Sequence, residues 1–253
     1  RVYLRQWFVY DNLNSSVRNI TQDIPVHFWN EKNDIPFNPD PYGVAAWGEN
    51  DEYLLVNDAF DIWKIDPRGE KKPENITAHT GRNDSITFRY VNTDPEKRFI
   101  EPDDLLLLSA FDRVSKQDGY YTLSQKGRNP LNKRVMNTFW FSSVTKAKEK
   151  ELFVFQKSNF NTAPDLYVTS NLWQSEQKLT DINPQMRDYN WGTAELFSWT
   201  SPTGIPHQGI VYKPEDFDPT RKYPVLIYFY EQHSDNLYSY FTPAPSRSVI
   251  NIP

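Results

Sequence analysis

The chain of 253 residues sets 28 Lys and Arg against 33 Asp and Glu, a formal charge of −5, so no broad attraction to nucleic acid or an anionic membrane is implied. Cysteine is absent, which excludes disulfides and thiolate metal sites and leaves the compartment open. Aromatic residues reach 15% and prolines number 19, a composition that suits many short strands, disfavours long helices and contains no run approaching the ~18 apolar residues of a membrane span.

Residues 2–10 read as a strand, Asp11-Asn12-Leu13-Asn14 as a turn, and residues 17–21 as the paired outer strand. This has the look of the tail of a sheet whose beginning is missing. Residues 22–41 hold Pro25, Pro36, Pro39 and Pro41 and read as an irregular connector. Residues 42–77 give the clearest unit, with strands at Val44-Ala45-Ala46-Trp47, Tyr53-Leu54-Leu55-Val56, residues 61–66 and Asn75-Ile76-Thr77, each separated by a turn. Residues 78–126 repeat the plan with longer turns. There residues 85–91 alternate, with Ile86, Phe88 and Tyr90 on one face, and residues 105–111 form a continuous apolar run. A further unit uses residues 138–144, a charged hairpin tip at 145–151, residues 152–156 and 165–169, and an outer strand at Leu179-Thr180.

Four aromatic or β-branched tetrads organise this order. They are Trp7-Phe8-Val9-Tyr10, Ile62-Trp63-Lys64-Ile65, Tyr120-Tyr121-Thr122-Leu123 and Leu166-Tyr167-Val168-Thr169, starting 55, 58 and 46 positions apart. Three are trailed by a second signal: Asn19-Ile20-Thr21, Asn75-Ile76-Thr77 and Lys178-Leu179-Thr180. A period of about 40–50 residues with several short strands per unit marks a β-propeller built of four-stranded antiparallel blades. The repeat stops at Ile182-Asn183-Pro184. Strands at 194–199 and 208–212 follow, around the turn Ser201-Pro202-Thr203-Gly204. Then Val225-Leu226-Ile227-Tyr228-Phe229-Tyr230 is apolar without alternation, the pattern of a central strand covered on both faces. The chain thus divides into a partial propeller at 1–182 (the end of one blade plus about three more), a linker at 183–193, and a region of another fold at 194–253.

Catalytic signals are sparse. No G-x-S-x-G nucleophile elbow occurs among the nine glycines. His27, His79, His207 and His233 share no metal-ligand spacing and read as turn or surface histidines. Neither a metal nor a cofactor is expected. Glu149 and Glu151 read as solvated hairpin charges, and the Asn-x-Ser/Thr triplets at Asn14, Asn19, Asn75 and Asn83 as polar turn chemistry.

The stretch Glu195-Leu196-Phe197-Ser198-Trp199-Thr200-Ser201-Pro202-Thr203-Gly204, with Gly209-Ile210-Val211-Tyr212-Lys213-Pro214, Phe217-Asp218-Pro219 and Lys222-Tyr223-Pro224-Val225-Leu226-Ile227-Tyr228, resembles the entry into the catalytic domain of the prolyl oligopeptidase family. The likeness is greatest to its dipeptidyl-peptidase and acylaminoacyl-peptidase branches. Pro164-Asp165-Leu166-Tyr167-Val168 and Lys178-Leu179-Thr180 resemble the last propeller blade of the same family. The resemblance implies an all-β propeller followed by the first strands of an α/β-hydrolase domain, and a serine peptidase whose peptide substrates reach a Ser/Asp/His triad between the two. It further implies that Tyr230, at the end of the apolar run, donates its hydroxyl to the oxyanion. The turn Glu231-Gln232-His233-Ser234 departs from the family's glycine-rich one, and no propeller glutamate pair for a substrate amino terminus is found. The nucleophile, acid and histidine would all lie beyond Pro253, so the chain reads as a processed or excised piece without a triad. A periplasmic or secreted setting is expected, with a homodimer left open. The competing readings are a TolB-type propeller that binds without catalysis and an inactive peptidase homologue that binds peptides.

Overall fold

The computed structural model describes residues 5–126, 131–170, 172–229 and 233–244. Its described elements are almost all strands, gathered into three four-stranded and two two-stranded sheets. Among the described residues no helix is long and apolar enough to cross a membrane. The chain falls into two compact units, residues 1–114 with 120–135, and residues 115–119 with 136–253.

In the first unit, β1 (Phe8–Asp11) and β2 (Ser16–Asn19) pair antiparallel. A sheet in chain order follows: β3 (Val44–Trp47), β4 (Leu54–Asn57), β5 (Ile62–Ile65) and β6 (Glu74–Asn75). After the short helix α1 (Thr80–Asp84) come β7 (Ile86–Tyr90), β8 (Leu105–Asp112), β9 (Asp118–Ser124) and β10 (Leu131–Asn137), again neighbours in chain order. β9 and β10 straddle the division between the units. The second unit holds the sheet of β11 (Trp140–Lys146), β12 (Leu152–Asn159), β13 (Thr162–Ser170) and β14 (Ser175–Lys178), then the hairpin of β15 (Thr193–Thr200) and β16 (Pro206–Lys213).

Meandering order follows from short turns. Most strands meet their partner within a few residues, β7 and β8 being joined by the longer segment 91–104, so the ladders close at little loop entropy. The apolar side chains then pack face to face. In the first unit Ile20, Ile24, Phe28, Leu54, Val56, Trp63 and Ile65 form a buried cluster, with Trp7, Val9 and Val26 against it. In the second, fully buried Phe155 lies among Phe141, Tyr167 and Trp173, with ring centroids 5.6–5.9 Å apart.

The paired sequence signals have a common physical cause. Thr77 accepts the Ile62 N–H at 3.3 Å and donates its hydroxyl to Asp61 at 2.6 Å, while the Ile76 N–H bonds the Ile62 carbonyl. Thr180 accepts the Leu166 N–H at 2.9 Å and donates to Asp165 at 2.8 Å, while Leu179 N–H bonds the Leu166 carbonyl. Thr21 accepts the Trp7 N–H at 2.9 Å and donates to Gln6, while Ile20 N–H bonds the Trp7 carbonyl. One clasp therefore locks the outer strand pair in three of the five sheets. The third tetrad, within β9, lacks the trailing threonine. There Arg134 of β10 donates Nε–H to the Thr122 hydroxyl at 2.8 Å instead.

One expectation is corrected. Residues 225–229 were expected to form a central strand covered on both faces, but among the described residues they pair with no strand and all five side chains are exposed. A central strand needs a ladder on each edge and a layer on each face, and the described residues around 225–229 supply neither. Two further elements, α1 and β10, have no counterpart in the sequence reading.

Candidate functional site

The buried polar groups of the first unit gather at the β4–β5 turn. Asp58 Oδ1 accepts the N–H groups of Phe60 at 2.6 Å and Asp61 at 2.8 Å, and its Oδ2 accepts Trp63 Nε1–H at 2.8 Å. Asp61 takes the Thr77 hydroxyl and the Gly81 N–H (2.9 Å) on Oδ1, and the Arg82 N–H (3.1 Å) on Oδ2. Gly81 is required by this closeness, since a Cβ there would lie 2.6 Å from Asp61 Oδ1 and 2.8 Å from two backbone carbonyls. The Arg82 guanidinium reaches Glu31 at 3.0 Å, lies 3.8 Å from Asp58 and stacks over Phe60. Both aspartates are fully buried. Every carboxylate oxygen already accepts a hydrogen bond, which fits the cost of leaving a buried acid unpaired. The cluster knits a turn to the start of the next sheet.

The second unit places two ionisable groups at the start of β9, Lys116 just before it and Asp118 as its first residue. Asp118 is buried, and among the described residues its carboxylate accepts a hydrogen bond from the Phe141 N–H at 3.0 Å. Burial pushes its carboxyl up to about 7 against that hydrogen bond. Lys116, also buried, reaches Asp235 at 2.8 Å. Asp235 lies in the short 3-10 turn His233–Asn236, beside buried Ser234 and Leu237. Further along, Tyr240 stacks flat on Trp191 at 5.7 Å. Residues 233–240 are thereby held at Asp235 and at Tyr240. Asp165 behaves oppositely to Asp118. Burial would raise it, but Lys178, the Ile182 N–H and the Thr180 hydroxyl outweigh that and hold it below the usual carboxylate value.

Tyr230, the residue singled out as an oxyanion donor, lies outside the described residues. The four histidines are dispersed, each against an aromatic ring: His27 on Trp29, His79 on Trp63, His207 on Trp199 and His233 on Tyr228. Among the described residues no histidine hydrogen-bonds a serine, and His79 instead meets the Asn75 amide at 3.2 Å. Glu151 pairs with Lys146 at 2.9 Å across the β11–β12 tip. No group of three His, Cys, Asp or Glu among the described residues is arranged to hold a metal. The sequence reading missed Asp58, Asp61, Asp118 and Asp165. Two of these carried a signal: Asp61 precedes Thr77 by 16 positions and Asp165 precedes Thr180 by 15, each just before its tetrad.

No family model matches the chain. Over 92 residues it is 27% identical to dipeptidyl peptidase 8 of Mus musculus, a stretch covering 36% of this chain and 10% of that protein. The chain thus spans a small part of the relative's length. A solved structure of the AtxE2 isopeptidase with Astexin3-dC4 bound covers 86% of this chain and 31% of its own, at 16% identity and a TM-score of 0.49. The likeness to dipeptidyl peptidase 8 is confined to that 92-residue stretch.

Proposed function

We propose that the chain is a segment of a serine peptidase that hydrolyses peptide bonds. Its four-stranded sheets are blades of a β-propeller governing substrate access, and residues 194–253 begin the catalytic α/β-hydrolase domain. The 92-residue likeness to dipeptidyl peptidase 8 carries the peptidase part of this reading. Support for the propeller comes from three meandering four-stranded sheets and from a clasp recurring at fixed offsets. On this reading the nucleophile, acid and histidine of the catalytic triad are all supplied by polypeptide outside residues 1–253. Tyr230 donates its phenolic hydroxyl to the oxyanion that forms as a serine attacks the peptide carbonyl.

A fluorophosphonate probe tests the reading. The natural polypeptide that contains these residues is expected to label covalently and to cleave peptide substrates, while residues 1–253 alone do not label. Tyr230→Phe in that polypeptide should lower kcat by roughly 10²–10³ with KM little changed, the usual effect of removing one oxyanion donor. Absence of labelling, with the sheets intact, would leave a propeller that binds peptides without cleaving them.

A further inference from the structure

Three guanidiniums meet at Ala59 and Phe60, in the β4–β5 turn. Arg82 and Arg113 stack over the Phe60 ring, their Cζ atoms 5.1 and 5.5 Å from its centroid. Arg89 lies over the Tyr42 ring at 5.5 Å, and its two terminal nitrogens donate to the carbonyls of Phe88 at 2.7 Å and Ala59 at 3.5 Å. Arg113 donates Nε–H to the Thr87 hydroxyl at 2.8 Å. Aromatic faces and fixed acceptors thus orient each planar fork before any ligand arrives.

The acids nearby are already committed. All four oxygens of Asp58 and Asp61 accept hydrogen bonds, and Glu31 pairs with Arg82. Arg89 bonds only main-chain carbonyls, and among the described residues it reaches no carboxylate. Burial pushes its guanidinium below the ordinary value; Asp58 opposes this, and the nearby Arg113 charge adds to it. A partly buried cation held by neutral acceptors alone is incompletely compensated. Its Nε–H has no acceptor among the described residues and stays open to solvent, and Arg89, Tyr42 and Phe60 are each only half-buried. A flat guanidinium edge matches a planar carboxylate. Glu31, Asp58 and Asp61 bring three negative charges to the same place, which repel a phosphate dianion more strongly than a carboxylate.

We infer that the solvent-facing edge of Arg89, beside the Tyr42 ring and within the field of Arg113, is a binding site for the carboxylate of a peptide or protein ligand, either a chain end or an acidic side chain. The ligand supplies the charged acceptor that Arg89 lacks, and Tyr42 and Ala59 keep the fork in place to receive it. The inference uses side chains of the first unit alone and is independent of the peptidase assignment.

NMR of the chain labelled with ¹⁵N-arginine tests it, with sodium acetate as the probe at constant ionic strength. The Arg89 Nε–H resonance should shift saturably, while those of the exposed Arg18 and Arg68 stay in place. Assignment through the backbone makes this titration independent of any variant. Arg89→Lys keeps a positive charge but loses the fork, and should weaken acetate binding roughly tenfold, read from the Arg113 resonance. Peptides separate the two sources of carboxylate: tetra-alanine with a free C-terminus, its C-terminal amide, and the same amide carrying one glutamate. Binding of either carboxylate form with the plain amide silent is the expected result, and the form that binds names the source. Absence of a saturable shift at Arg89, equal shifts at Arg18 and Arg68, or unchanged affinity in Arg89→Lys would overturn the inference. So would inorganic phosphate binding more tightly than acetate.

Discussion

β4 and residues 225–229 are made of much the same side chains and end in opposite surroundings. Leu54, Leu55 and Val56 are 0–3% exposed, whereas Val225, Leu226, Ile227, Tyr228 and Phe229 are 58–87% exposed. β4 has β3 on one edge and β5 on the other, each reached through a turn of a few residues. On one face Leu54 and Val56 pack beside Trp63 and Ile65 of β5 in a cluster with Ile20, Ile24 and Phe28. Residues 225–229 have no such neighbours among the described residues. A run without alternation is typical of parallel sheets, whose next strand arrives only after a crossover of about a dozen residues or more. Apolar content therefore does not decide burial. The presence of partner strands on both edges does.

The sharpest way to break the comparison is to place a charge in β4. Val56→Asp puts a carboxylate at a fully buried position, opposite Trp63 and within the apolar cluster of the first unit. A loss exceeding about 4 kcal/mol is expected, enough to unfold the first unit. Urea melts followed by tryptophan fluorescence read it, and a folded variant of near-normal midpoint would refute the buried placement of β4.

Asp118 comes next, because its effect depends on pH. Its carboxyl titrates near 7 in the folded chain and at 3.8 when unfolded, so between those values the folded state holds the extra proton. The stability it contributes is fully present below about pH 4 and is lost as pH rises through about 7, a change of up to about 4 kcal/mol. Asp118→Asn retains an acceptor for the Phe141 N–H and should abolish that decline, so the variant gains most at pH 8 and little at pH 4. Parallel pH profiles would contradict the assignment. Asp165 has the reverse sign, since its lowered value makes stability fall as pH drops into the acid range.

Thr77→Val is isosteric and tests the clasp itself. It deprives Asp61 of a hydroxyl donor and the Ile62 N–H of an acceptor, both buried, at an expected cost of about 1–3 kcal/mol. Thr180→Val should act alike in the second unit. If neither substitution moves the midpoint, the shared hydrogen bonds do not hold the outer strands.

The contrast between β4 and residues 225–229 also explains what could be read from the sequence. The β3–β6 sheet was legible because its strands are short, aromatic and separated by turn residues, all local signals. The trailing Asn75-Ile76-Thr77 and Lys178-Leu179-Thr180 were visible as repeats, while their bonds to Asp61 and Asp165 were not, since the acids sit just before the tetrads and read as turn residues. β10 was missed because Leu131-Asn132-Lys133-Arg134-Val135 lacks alternation and is held partly through Arg134. Helix α1 was missed because Thr80-Gly81-Arg82-Asn83-Asp84 has poor helix propensity, and tertiary bonds from Asp61 to Gly81 and Arg82 impose it. The role proposed for Tyr230 was read from the resemblance alone, and Tyr230 lies outside the described residues.

The smallest effect is expected where the sequence most resembles a core. Ile227→Asp in residues 1–253 replaces an exposed side chain with no strand partner, so the midpoint should shift by less than about 0.5 kcal/mol, as for ordinary surface substitutions. The same substitution in the natural polypeptide that contains these residues should cost several-fold more if residues 225–229 join a sheet there, because the carboxylate would then lose its water. The pair of measurements separates two explanations of one apolar run. A cost of more than about 1 kcal/mol in residues 1–253 would mean that residues 225–229 are already buried. A cost near zero in both would mean that they never enter a sheet, and the comparison with β4 would then be one of composition alone.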